Sequence, residues 1–229
     1  NYDYNNKYLL TVSGRWDGAS QLAEGNKWAF FPSAALGWRL DQEEFLKDVT
    51  WLNQLKFRLG VGVTGNSAID PYQTKGAIVS LYYPFGSALA PGYAASEPLI
   101  KDGAVAMANK NLSWEKTTQY NIGLDYSVLN GRISGVLDFY TSRTTDLLMA
   151  MTIPSLNGYT NTYANVGKTS NIGVDITLNT VNVKTRDFEW STSINAAWQK
   201  DKIDELANGK EVDFIITILV YRTYHTCLE

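Results

Sequence analysis

The 229-residue sequence is poor in the residues that build most catalytic and metal centres. It contains one His and one Cys, at positions 225 and 227, so the chain has neither a Cys/His zinc site nor an internal disulfide. No set of nucleophile, base and acid can be assembled from it. We therefore expect no enzyme activity, no catalytic residues, no metal and no cofactor.

Long apolar runs and an excess of one charge are also absent. No stretch of 18 apolar residues occurs, which excludes a transmembrane helix but leaves transmembrane β-strands possible, since those alternate apolar and polar residues. Lys plus Arg number 20 and Asp plus Glu number 23. Because these charges nearly cancel, the composition predicts no nucleic acid partner.

Aromatic residues and glycine are abundant, with 14 Tyr, 8 Phe, 7 Trp and 18 Gly, a composition typical of β-structure. Seven segments alternate apolar and polar residues with a period of two, as a β-strand with two different faces does. These segments are 8–17, 30–41, 55–64, 118–128, 132–141, 172–183 and 188–199. The sequence therefore predicts an all-β fold.

The two faces of these strands differ in chemistry. One is rich in Arg, Asp, Asn, Ser, Thr and Gly, and the other is apolar with aromatics near strand ends, such as Tyr8, Trp16 and Trp38. In a soluble sandwich the apolar face packs against a second sheet. In an outer-membrane barrel it contacts lipid, with aromatic girdles at both interfaces. Alternation alone leaves both open: a barrel, or a soluble β-sandwich acting as a carbohydrate-binding or adhesin module.

The lengths of the connections favour the barrel. They are 41–53, 129–131 and 184–187 on one side, and 18–29, 65–113 and 142–171 on the other. Two of the first three are tight turns, whereas the second three are all long, as the extracellular loops of outer-membrane barrels are. Residues 1–4 indicate the end of a further strand. We predict an antiparallel up-and-down transmembrane β-barrel segment, with about seven or eight strands of a larger barrel.

Several segments then form an ordered series of motifs. They are 7–20 (KYLLTVSGRWDGAS), 31–40 with 44–46, 55–66, 111–125 (NLSWEKTTQYNIGLD) and 165–175 (NVGKTSNIGVD). The series resembles the barrel of SusC/RagA-type TonB-linked outer-membrane transporters, over roughly residues 1–211. The resemblance implies the C-terminal part of such a barrel.

The resemblance also implies a location, a function and partners. Members of that family lie in the outer membrane and import oligosaccharides or peptides with energy delivered through the TonB complex. They work with a SusD-like surface lipoprotein that covers the mouth of the barrel. The plug and the TonB-contacting segment of such transporters are not expected within this sequence. Outer-membrane lipid is then expected around the apolar face.

The last residues depart from the family's pattern. After position 213 the alternation is lost and the run Phe214–Val220 is almost wholly apolar. We therefore assign 1–213 to the barrel domain and leave 214–229 as an unassigned, aberrant tail, which a frameshift or the end of a gene fragment explains better than function does.

Charged residues on the polar strand faces are candidates for the barrel interior. These lumen-facing residues are Arg15, Asp17, Arg39, Arg58, Asp125, Arg132 and Asp138. Pairing with a plug or with one another is the ordinary role for them, and contact with substrate is the alternative.

Tyrosines in the long loops are the candidates for substrate binding, since aromatic rings stack on sugars and the hydroxyl can hydrogen bond. They are Tyr82, Tyr83, Tyr93, Tyr159 and Tyr163. Packing of the loops or contact with the lid protein is the alternative role.

Overall fold

The computed structural model describes residues 1–75, 78–95, 106–154, 156, 159, 161–206 and 212–228, with the backbone alone at 78–83, 85, 89–95, 106 and 212–228. Its strands are β1 (Tyr2–Tyr4), β2 (Tyr8–Gly18), β3 (Trp28–Arg39), β4 (Leu52–Asn66), β5 (Ile78–Phe85), β6 (Ala88–Ala95), β7 (Ala106–Met107), β8 (Glu115–Val128), β9 (Ile133–Thr145), β10 (Leu148–Thr152), β11 (Asn161–Asn165), β12 (Lys168–Lys184), β13 (Phe188–Glu205) and β14 (Val212–Leu228).

Nine of these strands form one sheet, in the order β1-β2-β3-β4-β8-β9-β12-β13-β14. Every neighbouring pair in it is antiparallel. Each strand pairs with the next one of the sheet along the chain, which is the up-and-down topology that the sequence predicts. Within the described residues β1 and β14 lie at opposite edges and do not pair, so the sheet is an open segment of a barrel wall.

All seven predicted strands are present, and most are longer than the alternation indicates. The strand predicted at 30–41 instead ends at Arg39, and Leu40–Gln42 form a turn of 3-10 helix. The carboxylate of Asp41 closes this turn, because it accepts hydrogen bonds from Arg39, from Gln42 and from the backbone N–H of Leu55. None of the helical turns in the described part of the chain is long and apolar enough to span a membrane.

The connections fall on two sides of the sheet, as predicted. The β8–β9 turn places Leu129, Asn130 and Gly131 at positive φ angles of 55°, 56° and 78°, so the predicted Asn-Gly hairpin signal marks a real turn. Arg132 belongs to this turn, and β9 begins one residue later than predicted.

The opposite side carries the long loops, which contain the remaining strands. β5 and β6 form a hairpin, and β7 from the loop 67–114 pairs with β11 from the loop 146–167. β11 also pairs with β10, so a small three-stranded sheet joins two long loops.

The apolar residues of the main sheet share one surface, which we call the outward face. Register places Leu10, Leu36, Leu59, Ile122 and Phe139 side by side on five successive strands. Their exposed fractions lie between 38% and 46%, so no second sheet of the described residues covers them. This finding disfavours the sandwich, which would bury the same residues.

Buried apolar residues are few and lie at the long-loop end. The cluster consists of Ala19, Leu22, Ala29, Phe31, Leu112 and Trp114. Val63, Ile69, Leu148 and Tyr163 pack against it. The described residues thus have a small core where the loops meet the sheet, and none behind the sheet itself.

The tail has a definite place in the sheet. The backbone of β14 pairs with β13 from Phe188 opposite Leu228 to Ile203 opposite Val212, while its side chains lie outside the described residues. An apolar run can form a strand without alternation, so the loss of alternation does not prevent pairing. That 214–229 stands apart from the barrel domain stays a prediction.

Candidate functional site

The surface opposite the outward face, which we call the inward face, carries a network of charged residues. Arg58 on β4 donates from Nε to both carboxylate oxygens of Asp125 on β8, at 3.0 and 3.1 Å, and from Nη2 to Asp138 on β9 at 2.8 Å. The guanidinium therefore ties three adjacent strands together. The Arg58 and Asp138 side chains remain about a third exposed, so both can also meet whatever fills the barrel.

Gly123 makes this network possible. It lies between Arg58 and Asp138 in the register, and a Cβ added there would come within 2.4 Å of Asp138 Oδ1 and 2.6 Å of Arg58 Cζ. Only a residue without a side chain leaves room for the guanidinium to reach across β8.

An aromatic ring covers another inward-facing glycine two strands away. A Cβ on Gly173 of β12 would come within 2.4 Å of the Tyr140 ring, whose hydroxyl donates to Gln199 Oε1 at 3.4 Å. Aromatic cover of a strand glycine pins the register of its neighbours. This second inward contact links β9, β12 and β13.

The other predicted lumen-facing charges form local pairs or stand in a turn. Arg15 pairs with Asp17 of the same strand at 2.7 Å, and Arg39 pairs with Asp41 at 2.8 Å. Arg132 is exposed in the β8–β9 turn. Because it lies outside the strands, the alternation of faces along a strand does not place it on the inward face. The structure thus joins Arg58, Asp125 and Asp138 in one network and Arg15 with Asp17 in a separate pair, and it leaves Arg39 and Arg132 apart from the other predicted residues.

A carboxylate organises the aromatic residues at the turn side of the sheet. Glu43 accepts hydrogen bonds from Tyr8 at 2.8 Å, from Trp38 at 3.1 Å and from Lys7 at 3.2 Å. Tyr8 stacks between Trp38 and Tyr4, with ring centroids 6.4 and 6.5 Å apart. The hydrogen bonds from Trp38, Tyr8 and Lys7 lower the pKa of Glu43, and the cluster fixes the predicted girdle at this edge.

At the opposite end of the sheet, one asparagine joins two long loops. The Asn165 amide donates to the carbonyl oxygens of Ser113 at 2.8 Å and Asp146 at 3.0 Å. Its Oδ1 accepts from the backbone N–H of Ser113 at 2.8 Å. Trp114 then donates to the carbonyl of Lys27 in a third loop at 3.1 Å. We call this assembly, together with the buried cluster at Leu22 and Leu112, the loop body.

The predicted substrate tyrosines have different positions in these loops. Tyr82 and Tyr83 on β5 and Tyr93 on β6 belong to the hairpin, and their side chains lie outside the described residues. Tyr159 is half-buried. Tyr163 on β11 packs against the buried cluster, and its carbonyl accepts a hydrogen bond from Asn109 at 2.8 Å. Substrate contact by these residues stays a prediction, with loop packing visible for Tyr163.

Sequence reasoning missed Glu43, Gly123, Tyr140 and Asn165. Asn165 opens a motif of the resemblance, which is the one signal that singled out its segment. Across the described residues no group of three or more His, Cys, Asp or Glu side chains converges as a metal site would.

Comparison with known proteins gives a family for this fold. Residues 1–216 match the family of TonB dependent receptor-like β-barrels. The TonB-dependent receptor SusC of Bacteroides thetaiotaomicron is 40% identical over 226 residues, covering 94% of this chain and 21% of that protein. The TonB-dependent receptor P26 of Formosa agariphila is 36% identical over 220 residues, covering 96% of this chain and 21% of that protein. The chain thus spans about a fifth of these relatives.

Solved structures agree with the sequence matches. The structure of the RagAB peptide transporter superimposes with a TM-score of 0.79 at 29% identity, covering 92% of this chain and 22% of that one. The siderophore receptor PirA from Pseudomonas aeruginosa gives a TM-score of 0.51 at 15% identity, covering 96% of this chain and 37% of that one. The second comparison shows the fold alone. The chain belongs to the TonB-dependent receptor β-barrel family, is of the SusC/RagA type within it, and is an outer-membrane protein.

Proposed function

We propose that the protein containing this chain imports oligosaccharides or peptides across the outer membrane, together with a SusD-like surface lipoprotein and with energy from the TonB complex. The observation that carries the proposal is the exposed outward face on an up-and-down sheet with long loops at one end. The matches to SusC and to the RagAB peptide transporter support the same function.

In this function the chain forms part of the barrel wall and of the extracellular mouth, and it carries out no chemical reaction. The outward face contacts lipid, and the Arg58 network holds β4, β8 and β9 together around the substrate passage. The loop body gives the extracellular mouth a fixed frame, on which the β5–β6 hairpin and its tyrosines are carried. Contact with TonB is expected through segments of the protein other than residues 1–229.

Deletion of the gene in the native organism tests the import function. The deletion strain is grown on a panel of oligosaccharides and of peptides, each as the single carbon or nitrogen source. We expect growth to fail on one class of oligomer and to persist on the corresponding monosaccharides or amino acids, which need no such importer. Unchanged growth on every oligomer would contradict the proposal.

The lipoprotein partner needs a separate experiment. Affinity-tagged whole protein, extracted from the outer membrane in mild detergent, is expected to bring down one surface lipoprotein in near-equal amount. A tagged outer-membrane barrel of another family is the control. Recovery of the whole protein without such a lipoprotein would count against this part of the proposal.

The tyrosines are tested on the substrate that the growth panel identifies. Tyr159→Ala is expected to weaken uptake at low substrate concentration by about tenfold, a loss typical of removing one aromatic contact, while Tyr159→Phe keeps most of the stacking. Tyr4→Ala, on the turn side of the sheet, is the matched control. Equal uptake by all three variants would assign Tyr159 to loop packing.

A further inference from the structure

A group of basic residues lies on the outward face directly beyond the apolar band, on the long-loop side. On β8 the last apolar outward residue is Tyr120, and the next outward positions are Thr118 and Lys116. On β9, the outward-facing residues after Phe139, toward the long loops, are Thr141 and Arg143. Each strand therefore passes from apolar residues through a hydroxyl to a cation.

The next two strands of the sheet repeat the change. On β12, Ile172 gives way to Ser170 and Lys168. On β13, Trp198 gives way directly to Lys200 and Lys202. Register places Thr118, Arg143, Ser170 and Lys202 side by side on the four strands. Since neighbouring strands lie about 4.8 Å apart, the five basic residues fall within roughly 15 Å across the sheet.

Among the described residues three of these cations form no ion pair, and Asp204 and Glu205, which line the same surface pocket as Arg143, are engaged by other lysines. Lys168 pairs with Glu205, and Lys202 lies 3.9 Å from Asp204. Lys116, Arg143 and Lys200 are exposed, and among the described residues none of the three forms an ion pair or a side-chain hydrogen bond. Their charges therefore remain available to a group outside this sheet.

We propose that Lys116, Arg143 and Lys200 bind the phosphate groups of a phosphorylated glycolipid in the outer leaflet of the membrane. The apolar band below them contacts acyl chains, so the first polar positions above it lie at headgroup level. Long basic side chains reach toward that level while their stems stay on apolar surface. Arg143 can bind a phosphate with two parallel hydrogen bonds, and the hydroxyls of Thr118 and Thr141 are next to it.

A double substitution with a matched control tests this site in the whole protein. Lys116→Gln with Arg143→Gln removes one Lys and one Arg from the site, and Lys47→Gln with Arg186→Gln removes the same two residue types from exposed positions in the turns. Each protein is purified from the outer membrane in mild detergent, and its retained phosphorylated lipid is counted by mass spectrometry. Rebinding is then measured with bisphosphorylated lipid A and with its dephosphorylated form.

We expect the site variant to bind bisphosphorylated lipid A at least fivefold more weakly, because each basic residue near an anionic lipid surface contributes about a factor of five. The control variant and the charge-conserving variant Lys116→Arg with Arg143→Lys are expected to bind as the unaltered protein does. The dephosphorylated lipid is expected to bind weakly to all of them. Mobility on an unboiled gel checks folding, and Lys200→Gln alone replaces the double variant if that one does not fold.

Equal lipid retention by the site and control variants would overturn the proposal. Equal affinity of the unaltered protein for the phosphorylated and dephosphorylated lipid would also overturn it. So would a site variant that keeps its lipid but loses a co-purifying protein. The lipid site rests on the outward face and not on import. Unchanged growth of the deletion strain on every oligomer, together with intact lipid binding, would therefore contradict the proposed function alone.

Discussion

At the scale of single residues, the Arg58 network on the inward face depends on one glycine. Gly123 leaves the space through which Arg58 reaches Asp138, whereas a Cβ on Gly60, on the neighbouring strand, would meet only Asn121 Cβ at 3.8 Å. Strand glycines that look alike in the sequence therefore differ in what they allow. Alternation predicted the face of both glycines, but it could not show which one has a guanidinium above it.

Gly123→Ala is expected to destabilise the whole protein by about 1–3 kcal/mol, because the methyl group forces the Arg58 network apart. Gly60→Ala is the matched control and is expected to be neutral or to stabilise by about 0.5–1 kcal/mol, since alanine restricts the unfolded chain more than glycine does. Urea titration in detergent, read by gel mobility of unboiled samples, measures both. Equal stability of the two variants would contradict this account of the network.

The turn-side carboxylate gives a dependence on pH. Because hydrogen bonds lower the pKa of Glu43 in the folded protein, its carboxylate stabilises the fold above the ordinary carboxylate pKa of about 4.3. That stabilisation is lost as the pH falls through the lowered folded value. The stability difference between the unaltered protein and Glu43→Gln should be full at pH 7 and should shrink below about pH 4.

The control for that experiment is the neighbouring Glu44→Gln, since the Glu44 side chain is exposed. A stability difference for Glu43→Gln that stays constant from pH 7 to pH 3 would show that the carboxylate charge is not what holds the cluster. So would an equal pH-dependent difference for Glu44→Gln.

At the scale of elements, seven strands of the main sheet were predictable, whereas β14, the strands within the long loops and the loop body were not. Each of these seven strands has a local period of two in its sequence, and that period was enough to find it. The errors lie only at strand ends such as Arg39, where hydrogen bonds to the Asp41 side chain end the strand. The loop body depends on contacts between residues far apart in the chain, such as Asn165 with Ser113. No local pattern encodes such contacts.

Asn165→Ala is expected to loosen the junction of the two loops, because three side-chain hydrogen bonds of about 1 kcal/mol each are lost. Hydrogen exchange should show the Ser113 amide losing protection, while amides within β8 keep theirs. Asn111→Ala is the control, since Asn111 is exposed and hydrogen bonds through its backbone alone. Unchanged exchange at Ser113 would mean that the buried cluster holds the loops without Asn165.

At the scale of the whole molecule, a barrel wall in the outer membrane has lipid on its outward face. Leu124→Arg places a charge in the middle of the apolar band and is expected to cost about 2–4 kcal/mol of folding free energy in a bilayer. Asn121→Arg, on the inward face of the same strand, is the control and should cost much less. Similar losses for the two variants, measured by urea titration in lipid vesicles, would contradict the assignment of the faces.

The measurement that tests the central claim most directly is the environment of labels along β8 in the whole protein. Single cysteines at Gln119, Tyr120, Asn121, Ile122 and Leu124 are introduced in a background in which Cys227 and any cysteine outside residues 1–229 are replaced by Ser, and they are labelled with a fluorophore in lipid vesicles. We predict that a lipid-bound quencher reaches labels at 120, 122 and 124 and leaves those at 119 and 121 unquenched. Quenching that does not alternate, or that favours 119 and 121, would show that this face is not the lipid-contacting wall of a barrel.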